Sequence, residues 1–109
     1  MNEDVERQKE LAIIELFWQR DDKAVQELDK MYGRFCYSIS WQLLKNREDT
    51  QECLNDTWLQ TWNTIPDIRP ISLKSYVAKI IRNISLNRIE SRNAKKRGNG
   101  ELAVVYSIK

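Results

Sequence analysis

At 109 residues the chain is bounded to one small domain, with length enough to bury a core without disulfide or metal help. It has no histidine and two cysteines, Cys36 and Cys53, which excludes any His-containing zinc site, and two thiols alone do not build a structural one. The formal net charge of +2 hides an asymmetry, because residues 1–29 hold nine acids against four bases while residues 72–97 hold eight bases against one acid. Such a split points to two different partners, one of them anionic; the plainer alternative is a solvated surface with uneven charge.

The first expected element spans residues 4–19, with Leu11, Ile14, Phe17 and Trp18 as its apolar face. Asp21 and Asp22 interrupt it and offer a cap for the next helix. That second helix is expected over about 23–44, where Val25, Leu28, Tyr32, Phe35, Ile39 and Leu43 recur at three- and four-residue steps, thickened by Met31, Cys36 and Trp41. Gly33 inside it costs ~1 kcal/mol relative to Ala unless a neighbouring helix needs the room. Lys45 and Asn46 end it. A third helix is expected over about 48–62, with Leu54, Trp58 and Trp62 as its stripe and Cys53, Thr57 and Thr61 alongside. Its other side carries Gln51, Glu52, Asn55, Asp56 and Gln60, acidic and amide-rich without a single Lys or Arg. A purely solubilising face would mix the signs, although an ordinary solvated face is the alternative.

Residues 63–72, NTIPDIRPIS, hold both prolines of the chain, Pro66 and Pro70, and so cannot be helical throughout. A stiffened loop directly before a basic helix is a candidate for shaping a pocket; a plain connector is the alternative. The last helix is expected over 72–97, capped by Ser72 and stopped at Gly98. Leu73, Val77, Ile80 and Ile84 form its stripe, with Ile81 and Ile89 less regular. The rest is basic and polar, with Asn83 and Asn87 among the cations, as in a helix that packs on a bundle and shows its other side to a polyanion. Beyond it, residues 98–109 begin with turn residues and continue as a short β-prone apolar run. They read as a linker or the start of a missing C-terminal domain. The fold class is therefore all-α, a small bundle of about four helices over residues 1–97.

Enzymatic chemistry has no foothold. There is no Gly-rich phosphate loop, no His to act as a base, and no Ser or Cys in a nucleophile setting. The carboxylate pairs Asp21–Asp22 and Glu48–Asp49 are adjacent and point to different sides of a helix. No cofactor, metal or catalytic residue is expected. Trp58 and Trp62 lie on the apolar stripe and read as core, while Trp41 and Tyr76 stay open between core and base stacking. No apolar run approaches the roughly 20 residues of a membrane span, and no signal peptide is apparent, so a cytoplasmic protein with reduced cysteines and no membrane partner is expected.

The third and fourth helices together, DTQECLNDTWLQTWNTI followed by LKSYVAKIIRNISLNRI, resemble region two of bacterial sigma factors, in particular the extracytoplasmic-function group. In that family an acidic helix with an aromatic pair is followed by a loop, an aromatic, a basic stretch with an Arg-Asn pair, and further Arg. Here these are Trp58 and Trp62, Tyr76, and Arg82–Asn83. AVQELDKMYGRFCYSISWQLL is similar to the family's first conserved block, and the resemblance covers about residues 11–97.

The resemblance implies transcription initiation. The acidic helix would dock on paired helices of the largest core RNA polymerase subunit through Gln51, Glu52, Asn55, Asp56 and Gln60. The basic helix would hold the melted minus-ten strand of promoter DNA through Lys79, Arg82, Asn83 and Asn87, joined by Lys74 and Arg88. Asn63, Asp67, Ile68 and Arg69 would shape the pocket of the preceding loop. An anti-sigma factor covering the acidic helix is a further implied partner. Asn55, Trp58, Tyr76, Ala78 and Asn87 stand where the family often has Gln, Phe, Trp, Tyr and Asp, which bears on promoter preference more than on fold. The family's helix-turn-helix domain has no counterpart in these residues, and the end at Lys109 after an apolar run reads as that of a fragment. A general helical nucleic-acid-binding module without a polymerase partner needs only the basic helix, and a regulatory interaction module needs neither.

Overall fold

A computed structural model describes residues 2–97, with side chains from 4 to 94; the expectations placed on 98–109 lie outside the described residues. Four helices follow in order, α1 (Asn2–Trp18), α2 (Lys23–Leu44), α3 (Arg47–Thr64) and α4 (Leu73–Arg97), with a single 3-10 turn, Ile65–Asp67, after α3. The fold is an all-α bundle. Central in it is α2, which packs on α1, α3 and α4, while α3 and α4 pack on each other. Phe17, Ile14, Leu28, Ile65, Leu73 and Ile81 are fully buried, and each such side chain stabilises by about 1.5–3 kcal/mol relative to exposure.

The boundaries follow local chemistry. Arg20 and Lys45 both adopt positive φ, 57° and 52°, and so break α1 and α2. Asp21, rather than Asp22, serves the start of α2, since its carboxylate accepts from the Lys23 N–H at 2.9 Å while Asp22 makes no capping bond. Asn46 caps α3 by accepting from the Asp49 N–H at 2.9 Å. Ser72 accepts from the Ser75 N–H at 3.2 Å, as expected of the α4 cap.

On α3 the expected side is buried, with Cys53, Leu54, Thr57, Trp58 and Thr61 inside, whereas the buried faces of the other three helices depart in part from those that hydrophobicity alone suggests. On α1 the buried set is Glu10, Ile13, Ile14 and Phe17, while Leu11 and Trp18 are exposed. On α2 it is Ala24, Leu28, Tyr32, Cys36, Ser40 and Leu44, one every four residues, together with Gly33, while Val25, Phe35, Ile39 and Leu43 are only half-buried. On α4, Ser85 is buried where Ile84 was expected. The cause is close approach. Small residues on α2 let its neighbours in, and the Ser85 hydroxyl donates to the Ser40 hydroxyl at 2.8 Å inside that contact. On α3 the hydroxyls of buried Thr50, Thr57 and Thr61 each donate to the carbonyl four residues earlier. Their methyl groups are thus free to pack.

Trp58 is buried and donates its indole N–H to Asp29 of α2 at 3.2 Å. Both cysteines are free and buried. Burial, followed by the nearby Asp29 charge, pushes the Cys36 thiol up to about 12, so it stays protonated and inert.

Candidate nucleic-acid and partner interface

The outer side of α3 presents Gln51, Glu52, Asn55, Asp56 and Gln60, all exposed. Gln51 donates to the Asn55 side chain at 3.1 Å. Leu59 stands among these polar groups and is 60% exposed. The sequence reading passed over it, although its three-residue step from Asp56 puts it on that side.

On α4, Lys79, Arg82, Asn83 and Asn87 are exposed. Lys79, Asn83 and Asn87 repeat every four residues and Arg82 lies beside them, so the four share one face. Among the described residues, Lys79 and Arg82 enter no ion pair. Lys74 and Arg88 are differently engaged. The Lys74 ammonium lies 4.8 Å from the centre of the Phe35 ring of α2. Arg88 is half-buried between α3 and α4, 2.8 Å from Glu52 and 3.4 Å from Asp49, and Arg92 also pairs with Asp49. The hydrogen bond to Glu52, against some desolvation, raises the Arg88 pKa above its ordinary value. Two residues assigned to different partners, Glu52 and Arg88, therefore touch each other. Beside them a cleft of about 440 Å³ is lined by Asp56, Ile84, Asn87, Arg88 and Ser91.

The loop between α3 and α4 is held at both ends and along its length. The Thr64 and Tyr76 hydroxyls meet at 2.6 Å, which joins the last turn of α3 to the first of α4. Ile65 and Pro70 are buried, while Asn63, Asp67, Ile68 and Arg69 are exposed. The other anchors come from residues 7–20. Arg7 donates to the Ile71 carbonyl. Glu10 accepts from the Leu73 and Lys74 N–H groups at 3.0 and 2.9 Å, and so caps α4 from another helix. The Arg69 guanidinium lies 4.7 Å from the centre of the Trp18 ring. Arg20 sits 3.8 Å over the Trp62 ring and donates to the Trp62 carbonyl at 2.6 Å.

Glu10 has a second role. The Tyr32 hydroxyl lies 2.6 Å from it and 2.8 Å from Glu6. Burial pushes the Glu10 carboxyl up. The hydrogen bonds from Tyr32, the Leu73 and Lys74 N–H groups and Arg7 outweigh that, and its pKa ends below the ordinary value. Burial and the same carboxylates push the Tyr32 hydroxyl well up, so it stays protonated. Sequence reasoning gave no part to Arg7, Glu10 or Arg20. The one available signal was Glu10 itself, an acid three and four residues before Ile13 and Ile14 on the side that becomes buried.

A family model described as Sigma-70 region 2 matches residues 28–95, well over half of the chain. The match takes in most of α2, all of α3 and the loop, and nearly all of α4; α1 lies before it. Comparison with curated proteins and with solved structures finds no match.

Proposed function

From the premise that the chain belongs to the Sigma-70 region 2 family, we propose that its two charged helices divide the family's two tasks. The family acts in transcription initiation, through core RNA polymerase and promoter DNA. In this reading α3 is the polymerase dock. Glu52, Asp56 and the amides of Gln51, Asn55 and Gln60 meet basic groups on paired helices of the largest subunit. On α4, Lys79 and Arg82 follow the phosphates of the opened minus-ten strand, while Asn83 and Asn87 reach exposed base edges. The loop with Asn63, Asp67, Ile68 and Arg69 receives a base drawn out of the stack.

The reading rests on one observation above all: an exposed face of α3 that carries no cation from Gln51 to Gln60, and an exposed face of α4 whose Lys79 and Arg82 enter no ion pair among the described residues. Lys74 and Arg88 contribute less to DNA binding than Lys79 and Arg82, because both are occupied within the protein. We also place the chain in the extracytoplasmic-function group, on the residues quoted above, with an anti-sigma factor competing for α3. No covalent step is involved. Unpairing a base costs a few kcal/mol, which contacts made only to the open strand must return.

Capture of purified core RNA polymerase tests the dock. The wild-type chain is expected to be retained and the Glu52→Lys/Asp56→Lys variant lost, with helix content by circular dichroism unchanged between them. Equal capture of both would remove α3 from the interface. Capture of neither would leave a nucleic-acid-binding module without a polymerase partner.

A further inference from the structure

The contact between the two charged helices follows a register. On α3, Asp49, Glu52 and Asp56 are spaced three and four residues apart and so share one edge of the helix. On α4, Arg88 and Arg92 face that edge from successive turns. The helices run antiparallel here, with Arg92 at Asp49 and Arg88 between Asp49 and Glu52. Asp49 meets two cations and Glu52 meets one. Asp56 enters no ion pair among the described residues. Half-buried Ile84 stands where the next cation of the row would be.

The cleft of about 440 Å³ lies at that unmatched end. Its α4 wall offers the Arg88 guanidinium, the Asn87 amide and the Ser91 hydroxyl, three kinds of donor close together on one helix. Such a set suits the oxygens of a phosphate. The α3 wall offers Asp56 instead. In the free chain an anion is therefore opposed twice. Glu52 and Asp49 occupy the guanidinium, and the Asp56 charge repels whatever anion enters. Glu52 and Asp56 are both exposed, on the face proposed to meet polymerase.

We propose that this cleft binds one backbone phosphate of the DNA strand, weakly in the free chain and more tightly once basic groups of polymerase engage Glu52 and Asp56. Those groups compete with Arg88 for Glu52 and cancel the Asp56 charge. Arg88 then turns from the carboxylate to the phosphate, with Asn87 and Ser91 donating beside it. The Asn87 amide keeps a second N–H and its carbonyl for a base edge. The site rests on the reading of α3 as dock and α4 as DNA face, and it adds regulation to that reading, since each surface strengthens when the other is occupied. By linkage the effect is reciprocal. The share that passes through Arg88 is bounded by the partly exposed pair that it breaks, at about fivefold or less.

Substitution imitates docking. Glu52→Gln/Asp56→Asn removes both charges and keeps both shapes. Fluorescence anisotropy with the full chain measures affinity for an oligothymidine strand as salt is raised. The neutralised chain is expected to bind more tightly at low salt. Its fall of log K against log salt should steepen by about 0.7, the value of one further phosphate on a single strand. Loss of any acid favours an anion over distance, so the decisive comparison is made in an Arg88→Gln background. There the same two substitutions are expected to gain about two- to fivefold less and to leave the slope unchanged. Equal gains and equal slopes in the two backgrounds would overturn the site, as would a neutralised chain that binds no strand. Arg88→Gln also frees Glu52, so capture of core polymerase by that variant is expected to rise about two- to fivefold; unchanged capture would overturn the coupling. Lys79→Gln/Arg82→Gln reads the α4 face by itself. Lost strand affinity in that variant, beside equal gains in the cycle, removes the cleft and keeps α4. Unchanged affinity in it removes the reading on which the cleft rests.

Discussion

Gly33 shows how a single position draws its meaning from a partner the sequence does not announce. A Cβ there would lie 2.7 Å from the Asp29 carboxylate, which occupies that space on its own helix and accepts from the Trp58 indole. The neighbouring helix that would justify a mid-helix glycine is thus served indirectly, through Asp29. Gly33→Ala should gain the ~1 kcal/mol of helix propensity only in part, because Asp29 must move and a half-shielded N–H loses its acceptor. In an Asp29→Ala background the same change should gain the full amount. Urea unfolding of the four proteins measures the cycle, and equal gains in the two backgrounds would refute the account. Hydroxyls mislead in a related way. Thr57, Thr61, Ser40 and Ser85 look like fillers on a hydropathy scale, yet all four are fully buried; Thr57, Thr61 and Ser85 donate, and Ser40 accepts.

Among elements, the existence and order of all four helices could be read from apolar spacing, and the proline-bearing break before α4 from backbone chemistry. Less legible, outside α3, was which side of a helix is buried. Leu11 and Trp18 are as apolar as Ile13, and Ile84 is more so than Ser85, but burial follows the shape of the neighbour and α2 has three of them. The acidic and basic faces were legible because exposure of charge is the default. That they touch through Glu52, Asp49, Arg88 and Arg92 was not, since no spacing rule relates residues on different helices. This contact is partly open to water, with Glu52 60% exposed in its side chain. It should therefore add less than about 1 kcal/mol to folding. Glu52→Gln is expected to cost no more than that at low salt and nothing measurable at about 1 M salt, where charges are screened beyond ~3 Å. A larger, salt-independent loss in thermal unfolding would mean that Glu52 is structural, and its effect on polymerase capture could no longer be read as binding.

For the molecule as a whole, the decisive residue is one that sequence reasoning left unassigned. Glu10 joins three helices: its carboxylate sits on α1, takes the Tyr32 hydroxyl of α2, and caps α4 at Leu73 and Lys74. It also fixes the downstream end of the loop, so the surface proposed for DNA depends on an acid buried in the first helix. Its folded pKa lies below the ordinary carboxylate value of 4.5. A depressed pKa means that the unfolded chain binds the proton more readily. The stabilisation from Glu10 is then complete above that ordinary value and is lost as pH falls through the folded one. Glu10→Gln keeps the shape but offers a neutral acceptor, and should cost about 1–3 kcal/mol near neutral pH. The gap between wild type and variant should narrow steadily once the pH drops below 4.5, because the wild-type carboxyl is itself becoming neutral. Urea unfolding followed by circular dichroism across that range measures it. A gap that stays constant down to the acid limit would show that Glu10 acts by packing alone, and that the charge on α1 does not hold the start of α4.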